Sequence, residues 1–130
     1  MPIRPITDNT PIIITADESN AFKIGPKERI VGVATTSATW DAADIGFEVS
    51  FDEQTWLRVV DPVRTTAATS HARIINVESG VARFYVVPEC LDLQLGASMK
   101  LTSIATSSNS PVSQSSPRTV LVYVMQMGGM

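Results

Sequence analysis

One cysteine and one histidine are all that the 130-residue chain offers of the side chains that most often act as nucleophiles, bases or soft metal ligands. Cys90 has no partner in the chain, so no intrachain disulfide forms and the fold must be held by burial. A structural zinc site takes four nitrogen or sulfur ligands, and Cys90 with His71 falls short of that. His71 stands in SHARI with no motif around it, and a surface or strand-end histidine is preferred over a general base. Cys90, in PEC, reads as a small buried hydrophobe rather than a nucleophile. The GxGxxG, P-loop and GxSxG patterns are all absent. The expectation is therefore no catalytic residue, no metal, no cofactor and no enzymatic activity.

Positive charge is also thin. Ten Lys and Arg are scattered from Arg4 to Arg118 against thirteen Asp and Glu, a net charge of −3. Without a basic patch to release counterions, nucleic acid is not an expected partner. No apolar run approaches the ~18 residues of a membrane helix, so no membrane is expected either. The opening MPIRPITDNT has no apolar stretch and carries Pro2 and Pro5, unlike a signal peptide. These features describe a soluble chain made in a reducing cytoplasm.

Short β-branched runs fill the space that these absences leave. They are PIIIT (11–15), RIVGVAT (29–35), FEVSF (47–51), WLRVV (56–60), ARIINV (72–77), ARFYVV (82–87), LDLQL (91–95), MKLTSIA (99–105) and TVLVYVM (119–125). Gly, Pro, Asp, Asn or Ser bounds each one. With 44% hydrophobic and 18% charged residues, the chain has the composition of a globular domain. The expected fold is all-β: a single-domain antiparallel β-sandwich, jelly-roll-like, of about eight to nine strands. It would comprise an extended N-terminal arm (1–10), the sandwich (11–125) and a flexible tail (126–130). Only SATWDAADIG (37–46) could hold a helical turn, capped by Asp41 and stopped by Gly46.

FEVSFDEQTWLRVV (47–60) reads as a hairpin. Asp52 opposite Trp56 leaves a loop of Glu53, Gln54 and Thr55, and sets Phe51 against Leu57 and Val49 against Val59. That face is wholly apolar. A slip of one residue would drive Arg58 among the phenylalanines, so the first register is preferred. Asp52 and Glu53 then serve the turn rather than chemistry, although no Gly or Asn fills the left-handed position such a loop favours. Trp56 and Arg58 fall on the outer face. Burial of Trp56 within the chain or at an oligomer interface is preferred over a ligand platform.

TVLVYVM is apolar on both faces and must be covered on both, by the chain itself or by a partner. The polar stretch TSSNSPVSQSSP (106–117) is long enough to be either functional or disordered. The arm, with prolines at 2, 5 and 11, should be extended and poorly packed alone, a segment suited to lying on a neighbour. The candidate interaction surface is accordingly Trp56 and Arg58 with Ile3, Arg4 and Pro5 of the arm. Asp41 and Asp44 in WDAAD could bind Ca²⁺ weakly, but the calcium-loop pattern is missing and a capping role is preferred.

Two longer segments, IVGVATTSATWDAADIGFEVSFDEQTW (30–56) and SPVSQSSPRTVLVYV (110–124), run in an order that resembles a group of small tailed-bacteriophage and prophage virion structural proteins. Their pattern runs I-x-G-V-x-x-P-x-x-W-x-x-A, then F-x-V-S-x-D-G-x-T-W, then P-V-x-Q-x-x-x-R-T before a hydrophobic strand. VARFYVVPECLDLQLGASMKLTSIATS fits the strand, turn and strand between them, so the resemblance covers most of residues 29–124. DEQTW lacks the glycine of the DG turn, and IATSSNS lacks that of the SGT strand. The resemblance implies a capsid decoration or cement protein, a homotrimer seated on the major capsid protein at the exterior of a phage head, made in the host bacterial cytoplasm. The alternative it leaves open is a head-fibre or tail-associated β-sandwich that recognises a host glycan, with Trp56 or Tyr85 as its platform.

Overall fold

The computed structural model describes residues 3–6, 11–24, 28–36, 40–59, 74–78, 82–87, 97–105 and 110–126. Among them are ten strands. They are β1 (Ile3–Pro5), β2 (Ile12–Thr15), β3 (Glu18–Ser19), β4 (Glu28–Thr35), β5 (Asp44–Ser50), β6 (Leu57–Arg58), β7 (Ile74–Ile75), β8 (Phe84–Val86), β9 (Ser98–Ile104) and β10 (Arg118–Gln126). Every pairing between them is antiparallel. No helix among the described residues is long and apolar enough to cross a membrane.

The expected class, all-β and antiparallel, is what the chain adopts. The described strands form one curled sheet in the order β6-β5-β9-β3-β2-β10-β4-β8, with β1 on β10 and β7 on β5. Two separate facing sheets are not what this pairing defines, because the two-residue β3 bonds to β2 on one side and to β9 on the other. The sheet closes over a single core. Ile14, Val33 and Val122 from β2, β4 and β10 pack in the same cluster as Ile45, Phe47 and Leu101 from β5 and β9. All six are buried, and removal of such side chains from water is the main force holding a chain with no disulfide.

Eight of the nine expected runs hold a strand in place. LDLQL lies outside the described residues, and WLRVV narrows to Leu57–Arg58. β1 and β3 were not expected as strands. The arm at Ile3–Pro5 pairs along β10, Pro5 opposite Tyr123, within its own chain. The helical turn expected in 37–46 does not form over Trp40–Ala43; instead Trp40 is buried and its indole N–H donates to the Ala43 carbonyl at 2.9 Å.

The hairpin of residues 47–60 forms in a different register. Val49 pairs with Leu57 and Glu48 with Arg58, a slide of two residues from the expected pairing. Because strand side chains alternate with a period of two, each keeps its expected face. The Asp52 carboxylate causes the slide. It accepts from the Gln54 N–H at 2.8 Å, the Thr55 N–H at 2.7 Å and the Ser50 hydroxyl at 3.0 Å, and this bends the chain into a wider loop. Glu53 takes the left-handed conformation at φ 63°, which costs a non-glycine residue on the order of 1 kcal/mol. The slide carries Phe51 and Leu57 past the core, where they are 69% and 54% exposed.

Candidate functional site

The two halves of the sheet present different outer faces. On β5 and β9 the side chains of this face are mostly polar, the buried Ile104 opposite Asp44 being the exception. Glu48 stands between Arg58 and Lys100 in the ladder, Gly46 faces Thr102, and Ser50 faces Ser98. Lys100 reaches Glu18 on β3 at 3.2 Å and lies 4.4 Å from the centre of the Trp56 ring. Trp56 is thus half-buried under a cation of its own chain, an arrangement worth about 0.5–1 kcal/mol at such a site. A shallow dent of about 60 Å³ lies on this side between Glu18, Gly46, Arg58 and Thr102. Ligand pockets run roughly 300–1,000 Å³, so this dent has room for little more than water.

On β10, β4 and β8 the outer face is apolar. The inward valines, Val120, Val122 and Val124, are buried, while Leu121, Tyr123 and Met125 face outward and are half-buried. Register places Ala34 and Gly32 of β4 beside Leu121 and Tyr123. Beyond β4, the same register brings Phe84 and Val86 of β8 onto this face, 51% and 77% exposed. The Phe84 ring lies across Gly32 and meets Tyr123 edge to face, with centroids 5.2 Å apart. A Cβ at residue 32 would run into that ring, so glycine is what lets the Phe84 side chain lie across β4. Leu121, Phe84 and Val86 carry no reactive group, and Tyr123 is packed edge to face against Phe84. What they offer is a patch that water leaves readily when another surface arrives.

The residues expected as an interaction surface divide in two. Trp56 and Arg58 lie on the polar outer face at one end of the strand order. Ile3, Arg4 and Pro5 are paired on β10, with β5, β9, β3 and β2 lying between it and β6 in the strand order. No described strand pairing joins the two groups directly. Tyr85, the other aromatic considered for a glycan, points inward, and its hydroxyl accepts the Glu78 N–H at 3.0 Å. The apolar outer face was legible in part. TVLVYVM is apolar on both faces, as its alternation required, but the contribution of β8 depends on Phe84 and Val86 sharing a side of the sheet, which only the pairing with β4 decides.

Asp41 and Asp44 are occupied separately. Asp44 is buried and accepts from the Val77 N–H at 2.9 Å and the Asn76 amide at 3.1 Å. Asp41 accepts from the Ser115 N–H and lies 3.7 Å from Arg118. The Ser115 N–H and hydroxyl, with Arg118 behind them, hold the Asp41 carboxyl below its ordinary value. Among the described residues no group of three or more His, Cys, Asp or Glu is arranged to hold a metal ion. His71 and Cys90 lie outside the described residues.

The Ser-rich stretch 106–117 proves structural over its described part. Val112 N–H bonds to Ser103 O at 2.9 Å and Gln114 N–H to Ala16 O at 2.8 Å, which fastens the segment onto β9 and the β2–β3 turn. Gln114 is buried. Its amide donates to Ser103 Oγ at 3.1 Å and to Asp41 O at 3.2 Å, and its Oε1 accepts from the Asp41 N–H at 2.8 Å and Arg118 Nε at 3.2 Å. Arg118, also buried, donates to Ser116 Oγ at 2.8 Å and Ser115 Oγ at 3.2 Å. The Gln114–Arg118 pair is therefore a polar knot that ties the 40–43 segment to the start of β10. The Trp40–Ala43 bond lies in the same place. Comparison of the chain with protein families, with curated proteins and with solved structures finds no match.

Proposed function

We propose that the chain is a structural protein of a phage virion, a decoration or cement protein that binds the assembled head shell and stabilises it. The observation that carries this reading is the asymmetry of the outer surface: charged over β5 and β9, apolar from Leu121 and Tyr123 across to Phe84 and Val86, with Arg29 beside Met125 at the end of that patch. A protein whose work is to lie on another protein needs such a face and no reactive group. The resemblance of residues 29–124 to virion structural proteins supplies the partner, the major capsid protein. Binding restricted to the assembled shell stabilises it by mass action, and repeated copies multiply modest contacts. Trp56 under Lys100 and Tyr85 with its hydroxyl engaged weigh against the glycan-binding alternative.

The test is to mix the purified chain with heads of the phage that encodes it and count bound copies by quantitative mass spectrometry. The expected result is a copy number comparable with the shell protein. Leu121→Ser with Tyr123→Ser should abolish binding, whereas Glu48→Gln with Lys100→Gln should leave it unchanged. A few copies per particle, or none, would sink the reading.

A further inference from the structure

We propose that two copies of this chain associate through β8, strand against strand, to continue the sheet across a two-fold axis at Tyr85. β8 is the last strand in the sheet order, so one of its edges has no strand among the described residues. Two bonds fix which groups lie on that edge. Thr35 N–H bonds to Arg83 O at 3.0 Å, and Val87 N–H to Val31 O at 3.0 Å. Antiparallel strands alternate, so residues 83, 85 and 87 face β4, and the N–H and C=O of Phe84 and Val86 point away from it.

That edge is complementary to itself. In an antiparallel pair centred on Tyr85, Phe84 of one copy lies opposite Val86 of the other. Each N–H then meets the opposing C=O on both sides of the axis. The same register sets the exposed Phe84 and Val86 side chains against each other on one face. Natural sheets guard a free edge with lysine, proline or an inward charge, and Phe84–Tyr85–Val86 has none of these. The neighbouring cation is occupied, since Arg83 Nε bonds to Glu78 at 2.7 Å. An edge that is its own complement gives an isologous contact, which closes as a dimer; the trimer that the resemblance implies needs a heterologous one. The pairing also joins the apolar outer faces of two copies into one surface. The inference goes beyond the virion reading and needs only a second copy of the chain.

The test is sedimentation equilibrium of the intact chain over a range of concentrations, with hydrogen exchange read at single amides. A monomer–dimer equilibrium is expected, with the Phe84 and Val86 amides protected in the dimer and exchanging rapidly on dilution. Val86→Pro removes an N–H that bonds nothing among the described residues, so the far-ultraviolet dichroism should be unchanged. The symmetry-related bonds lost should weaken association about 10- to 100-fold. Val86→Lys, at a side chain 77% exposed, should do the same by charge and decides the matter if the proline variant fails to fold. A monomer at every concentration, a trimer, or a dimer indifferent to both substitutions would overturn the proposal.

Discussion

Asp52 shows how a single carboxylate can look like chemistry and be architecture. Its three accepted bonds, from Thr55, Gln54 and Ser50, hold its carboxyl down to about 2, against an ordinary value of 3.8. A depressed folded-state value contributes stability that is fully present above 3.8 and is lost as the pH falls through about 2. The Asp41 carboxyl, held down by Ser115 and Arg118, and Glu53, held down by Ser98 and Lys23, act in the same sense. Melting temperature should therefore fall across that acid window. Asp52→Asn, which keeps an acceptor oxygen but does not titrate, should make the fall shallower; an unchanged slope would show that the loop bonds are not linked to folding. Gln114 is the residue whose loss should cost most outside the apolar core. Gln114→Ala leaves the Asp41 amide and the Arg118 Nε without their acceptor, and a loss of about 2–3 kcal/mol is expected in urea unfolding.

At the scale of elements, the strands were legible because alternation and β-branching are local properties. PIIIT, RIVGVAT, MKLTSIA and TVLVYVM each hold their strand. What was not legible depends on partners distant in the chain. β3 is two residues long and carries no periodicity, yet it joins the halves of the sheet. The hairpin's faces were readable from its apolar positions, but its register was not, because the Asp52 turn widened the loop by an even number and left the faces intact. Gln114 was hidden in a stretch whose serines suggest solvent. The Gly32–Phe84 contact belongs to this scale too, because it joins β4 to β8. Gly32→Ala should push the half-exposed ring off Tyr123 and cost about 1 kcal/mol. With Phe84→Ala already in place it should cost much less, so a double-mutant cycle that proved additive would rule the contact out.

For the molecule as a whole, one core serves both halves of the sheet, and neither half can bury its apolar face without the other. Urea unfolding should therefore be a single transition, coincident by tryptophan fluorescence and by far-ultraviolet dichroism. Trp40 reports the interior and Trp56 the polar outer face, so two separated transitions would show that the halves fold independently.

The place of β10 carries a consequence for the order in which this molecule can be made. It is bonded to β1 and β2 on one side and to β4 on the other, yet it follows all three by some eighty residues or more. A ribosome delivers β2 and β4 long before the strand that must lie between them. Until Arg118–Gln126 emerges, the edges of β2 and β4 that will bond to it stay open, the condition in which nascent β-chains aggregate. Closure of the sheet thus waits for β10, and is slow because distant segments must be brought together before any of them gains.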